Sequence, residues 1–231
     1  MTCDIVIKSY PPDYPWLTYC LRSIQKFATG FNNVLVLLPR SDPLPLTAET
    51  VVLLDVPEGY KEQQVSKLYA DKHTEADFIV NLDSDCIFTR PVTPRDFMVG
   101  DKPRWLMTPW ADCMDAKRAW FGVMAKCILE APEHEFMRRH GIMIPRWAYA
   151  EFRAFIQKTH GIPIESYVMN QPGNEFSEFN TIGFWLWLNH RDKIAWHNTS
   201  TMGIPSNPLH QEHSWGGLND EIRAKLDAIL K

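Results

Sequence analysis

The chain lacks any long apolar run. Its longest apolar stretches, such as Val34 to Leu38 and Phe184 to Leu188, are far shorter than the roughly 20 residues a helix needs to cross a bilayer. No transmembrane span is therefore expected. The first residues lack a basic segment followed by an extended apolar core, so no secretory signal is expected either. Cysteine is sparse. Cys3, Cys20, Cys86, Cys113 and Cys127 are scattered, odd in number and form no C-x-x-C pair. They read as reduced thiols of a cytoplasmic protein, against a disulfide framework or a zinc site. Charge of one sign is not in excess: 24 basic and 28 acidic side chains give a net charge of -4, without a long run of either. That balance argues against holding nucleic acid through nonspecific phosphate attraction. Internal repeats and low-complexity linkers are also absent.

What remains is an ordinary globular composition, 45% hydrophobic and 23% charged over 231 residues. This length suits one sizeable α/β domain over residues 1–231. Cys3 to Lys8 reads as a first buried strand, ended by Pro11-Pro12, which cannot continue a ladder. Leu17, Cys20, Leu21, Ile24 and Phe27 fall at helical spacing, with Asp13 as cap and Gly30 as stop. Val34 to Leu38 and, after a proline-rich connection, Val51 to Leu54 read as strands. A helix opens at Gly59-Tyr60 and runs to about His73, with Val65, Leu68 and Tyr69 inward. Asp77 to Leu82 is a fourth strand, leading directly into Asp83-Ser84-Asp85. This alternation predicts a mostly parallel central sheet flanked by helices, a Rossmann-like, doubly wound arrangement. In such sheets ligands bind beyond the carboxyl ends of the strands. Further on, helices are expected around Trp147 to Thr159, Ser177 to Asn189 and from about Asn219.

A D-x-D triplet is common by chance, and its position carries the weight. Alternate residues of extended chain point the same way, so Asp83 and Asp85 can face one ion. Carboxylate oxygens suit hard cations such as Mn²⁺ or Mg²⁺. The plain alternative is an Asx-type turn that merely ends a strand. The run Ile79-Val80-Asn81-Leu82-Asp83-Ser84-Asp85 resembles the metal-binding strand end of GT-A glycosyltransferases. The preceding helix, Tyr60 to Leu68, is similar to the one that family places before the motif. In length and order the chain also resembles small bacterial and phage glycosyltransferase-like proteins. The resemblance implies a nucleotide-diphosphate sugar as donor, a half of about residues 1–100 that binds it, and an acceptor-binding half of about 101–231. A uridine nucleotide is the donor expected by analogy.

Further site residues follow. Tyr60, Gln63, Gln64 and Lys67 are read as one helix face, Lys67 reaching a phosphate or sugar hydroxyl and Gln64 hydrogen-bonding the sugar; a solvated face is the plain alternative. By the resemblance, Ser9, Tyr10 and Asp13 hold base and ribose, with Tyr10 stacking. Ser177 reads as an N-cap, leaving Glu178 in the first turn, where the helix dipole keeps a carboxylate ionised. The resemblance implies an acidic residue there that contacts or deprotonates the acceptor: Glu178, with Glu175 the other candidate. It also implies a histidine from the C-terminal region in the metal shell, assigned to His213, and Trp215 closing over the diphosphate. Most of the tryptophans read as core. Arg138, Arg139, His140 and Arg146 form a basic cluster suited to an anionic acceptor or to solvent. The acceptor is a hydroxyl of a glycan, a lipid-linked sugar or a modified nucleic acid. A nucleotidyltransferase is the alternative reading, although Ser9-Tyr10-Pro11-Pro12 supplies no glycine-rich cradle. A non-catalytic carbohydrate- or nucleotide-binding relic of the fold is another.

Overall fold

The computed structural model describes residues 1–39, 50–54, 59–113, 118–137 and 141–231. Strand β1 (Cys3–Lys8) is buried at every position, as a strand flanked on both sides must be. A 3-10 turn at Pro11–Asp13 leads into α1 (Tyr14–Phe27), which buries Leu17, Cys20 and Ile24 at helical spacing. Asp13 occupies the N-cap position of α1 without making a capping bond, and the helix closes at Ala28, before Gly30. Strands β2 (Val34–Pro39) and β3 (Thr50–Leu54) follow; the proline-rich connection before β3 lies outside the described residues. Helix α2 (Tyr60–Leu68) stops five residues short of His73, and a separate 3-10 turn spans Ala70–Lys72. Strand β4 (Phe78–Asp83) ends in the Ser84-Asp85 turn, from which β5 (Cys86–Phe88) departs.

The main sheet has the order β3-β2-β1-β4-β9, where β9 is Ile142–Pro145. Its first three pairings are parallel and β4–β9 is antiparallel. Beside it, β7 (Lys102–Pro109) pairs in parallel with β10 (Ala195–Asn198) and antiparallel with β6 (Met98–Val99) and β8 (His134–Glu135). A third, two-stranded piece joins β5 antiparallel to β11 (Leu209–Gln211). The fold is thus α/β with mixed sheets, which corrects the expectation of a mostly parallel one. Among the described residues four strand pairings run each way, because the second half contributes short strands that return along their neighbours.

Alternation along β1 builds the core on both sheet faces. Ile5 and Ile7 join α1, Leu38 and Phe88 on one face. Val6 joins Leu35, Ile79 and the helices of the second half on the other. Those helices are α3 (Arg118–Ile128), α4 (Arg146–His160), α5 (Ile164–Met169) and α6 (Glu178–Asn189). Helix α6 is apolar almost all round and correspondingly buried, including Trp185 and Trp187. The short α7 (Thr199–Met202) precedes β11. The last helix, α8 (Asp220–Leu230), is capped by Asn219, whose side chain accepts from the Ile222 amide at 2.9 Å. It packs on α1 through Leu226, Trp16 and Tyr19. Among the described residues, no helix is long and apolar enough to cross a membrane.

Candidate functional site

The register of β1 against β4 aligns Lys8 with Asp83, so both chains leave the sheet side by side. A cleft of about 450 Å³ opens at that edge. Ser9, Tyr10 and Asp13 line it from the β1 side, Asp83, Ser84 and Asp85 from the β4 side. Tyr60 and Gln63 of α2 and Ser214 and Trp215 of the arm after β11 complete the wall. The sequence reading anticipated most of these. It missed Lys8, Gly59 and Ser214, of which only Lys8, a charge at the end of a buried strand, carried a signal.

Asp85 is 7% exposed and serves as the anchor of that arm. Its Oδ2 accepts from the Ser214 amide at 3.0 Å and its Oδ1 from Gln211 Nε2 at 3.2 Å, while its carbonyl accepts from the Glu212 amide at 3.2 Å. Across the cleft, Asp13 Oδ2 accepts from Ser84 Oγ at 3.4 Å. Burial pushes the Asp13 carboxyl above its ordinary range, Asp85 and more weakly Asp83 add to this, and hydrogen bonds from Ser214 and Ser84 offset part of it. Three carboxylates thus crowd one small volume. The β1 side also offers an unsatisfied group: Ser9 Oγ is buried without a hydrogen-bond partner.

Behind Asp83 lies a buried cation. Lys67 Nζ is 2.6 Å from Asp83 Oδ1 and 3.0 Å from Glu178 Oε1. Burial alone would lower the Lys67 pKa; the charges of Asp83 and Glu178 overcome it and hold the ammonium above its ordinary value. Lys67 does not reach into the cleft itself. Gln64 is likewise buried, and its Oε1 accepts from the Glu178 amide at 2.9 Å. Ser177 occupies the N-cap position of α6 as expected, but Gln64 supplies the side-chain acceptor there. The Ser177 hydroxyl turns instead to Met137 and Asn180. Tyr60 Oη donates to the Phe176 carbonyl at 3.0 Å, and burial, then the Glu178 charge, raises its pKa. Tyr60, Gln64 and Lys67, at i, i+4 and i+7, thus form one stripe of α2 against the start of α6. Gln63 is turned to the cleft.

The remaining candidates separate. Glu178 begins α6 as expected but is 3% exposed and stands behind Lys67, outside the cleft lining. Glu175 is half-buried in the preceding loop and also outside that lining. His213 is exposed and stacks on Trp215, ring centroids 5.8 Å apart, without lining the cleft. Its neighbour His210 bonds Glu212 at 2.6 Å. Trp215 is 87% exposed and Tyr10 39%, two aromatic faces at one mouth. Of the basic cluster, Arg146 meets Glu75 at 3.2 Å; Arg138, Arg139 and His140 lie outside the described residues. None of the five cysteines is in a disulfide.

For a divalent cation the donor set fits in part. Among the described residues no three His, Cys, Asp or Glu side chains converge closely enough to hold a metal alone. Asp83 and Asp85 offer oxygen donors of the right class, in a pocket whose crowded negative charge a cation would relieve. A metal here would take its other positions from water and a bound ligand.

In a comparison with curated proteins, none matches significantly. The model of a family of unknown function (DUF6492) matches residues 21–219, from within α1 through β4, α6 and the arm that closes the cleft, and the chain belongs to that family.

Proposed function

We propose that this chain is a metal-dependent glycosyltransferase of the GT-A type, moving a sugar from a nucleotide-diphosphate sugar to an acceptor hydroxyl. The carrying observation is the cleft, in which Asp83 and Asp85 face Ser9, Tyr10 and Asp13 at the carboxyl edge of the parallel run β3-β2-β1-β4. That run also supports the GT-A-like reading of the fold.

In this reading Tyr10 and Trp215 offer ring faces to the nucleobase or sugar. The unsatisfied Ser9 hydroxyl and the Asp13 carboxylate take donor and acceptor groups of the ribose or base. Asp83 and Asp85 would hold Mn²⁺ or Mg²⁺, which offsets the charge of a departing diphosphate. The acceptor oxygen forms a bond to the anomeric carbon, and the bond from that carbon to the phosphate oxygen breaks. The diphosphate leaves with the electron pair, and the acceptor's proton passes to a base or to solvent. A cytoplasmic location is part of the proposal, consistent with cysteines in no disulfide.

Calorimetric titration of UDP, GDP and CDP, with and without Mn²⁺, tests this reading. One nucleotide is expected to bind only with the metal, and Asp85→Ala is expected to abolish that binding. No nucleotide bound under either condition would refute the reading.

A further inference from the structure

We propose that Glu178 is a positioning residue and not the proton acceptor: it shares the buried Lys67 ammonium with Asp83, and so sets how firmly Asp83 is held against the cleft wall. The inference rests on the reading above only where it concerns the metal.

The geometry separates the three charges by their access to the ligand. The Lys67 and Glu178 side chains are 6% and 4% exposed, whereas Asp83 is 26% exposed and lines the cleft. A group that takes a proton must come within hydrogen-bond reach of it. Glu178 instead faces the ammonium at 3.0 Å, with the Phe179 ring 5.2 Å from the same nitrogen. Its backbone is fixed as well, through the bond from its amide to Gln64 Oε1 and that of Tyr60 to the Phe176 carbonyl. Helix α2 therefore pins the start of α6 and the residue before its cap at three points, and the third of them, Lys67, passes the constraint to Asp83.

One ammonium between two carboxylates divides its attraction. Neutralising Glu178 leaves the whole of it to Asp83, and removes a buried negative charge from behind Lys67, on the side of Asp83 away from any cation bound there. Both effects weaken cation binding at Asp83, by about ten-fold or more in a partly buried site. A proton acceptor facing the substrate would leave cation binding unchanged and act on turnover alone.

The test compares wild type with Glu178→Gln and Glu178→Asp. Uptake of Mn²⁺ is read from the electron paramagnetic resonance of the unbound ion, without nucleotide. The ¹³Cγ resonance of Asp83 is followed separately with no metal present. Glu178→Gln is expected to weaken Mn²⁺ binding at least about ten-fold and to move the Asp83 resonance, with Glu178→Asp intermediate between it and wild type in both readouts. Should the glutamine variant fail to fold, Glu178→Asp, which keeps the charge but withdraws it from Lys67, must still move the Asp83 resonance. Unchanged Mn²⁺ affinity with an unmoved resonance overturns the proposal. If wild type takes up no Mn²⁺, the metal-dependent reading fails by itself; a moved Asp83 resonance then still supports the positioning role, and an unmoved one overturns it.

Discussion

Two residues show how the site stores opposing charge. Asp13 has its folded pKa raised, first by burial and then by Asp85 and Asp83. Its ionisation therefore works against the fold. The stability it contributes is complete below the ordinary aspartate value near 4 and is lost as pH rises through the higher folded value. Asp13→Asn is accordingly expected to raise the urea midpoint at pH 7, and the gain should shrink toward pH 4. Lys67 works in the opposite sense. Lys67→Met would leave Asp83 and Glu178 without their shared cation and should cost about 3–5 kcal/mol, measured by urea denaturation at pH 7. At this scale the sequence was informative about chemical type and poor at pairing. Asp83, Asp85, Ser9 and Tyr10 were readable because they sit beside recognisable strand ends. That Lys67 faces Glu178, or that Asp85 holds Ser214, depends on tertiary packing that no local pattern encodes.

At the scale of elements, long periodic segments were legible and short ones were not. Helices α1, α4, α6 and α8 lie within a residue or so of where spacing and caps put them, α1 opening at Tyr14 directly after Asp13. Strand β7 was invisible because Pro103 and Pro109 interrupt its pattern, although its burial alternates along much of its length. Strand β9 is four buried residues between Gly141 and Arg146, too short for any period to declare itself. Ser177 takes the N-cap position of α6 that the sequence gives it, but the capping acceptor is Gln64 from another helix, which no local pattern encodes. Close packing of α6 gives a further expectation. A Cβ on Gly183 would lie 2.8 Å from Phe136 Cβ and 2.9 Å from Trp105 Cζ2. Gly183→Ala should therefore destabilise by about 1–3 kcal/mol despite its better helix propensity, as read from denaturant midpoints.

For the whole molecule, the two halves anticipated from the sequence meet in shared elements. Helix α2 from the first half grips α6 from the second, and β5 pairs with β11. Leu226, fully buried where α8 meets α1, anchors the far end of the arm. Leu226→Ala should cost about 2–5 kcal/mol by denaturation. It should also speed amide hydrogen exchange over residues 209–217, since the arm is tethered on that side through α8. The Asp85 carboxylate meets Gln211 and Ser214 across 126 and 129 positions of chain. Contacts so distant in sequence form late, after the loop between them has closed. A nascent chain emerging from the ribosome therefore carries its acidic turn uncovered while the 126 positions between Asp85 and Gln211 are synthesised, and the cleft gains its covering wall only once they have closed.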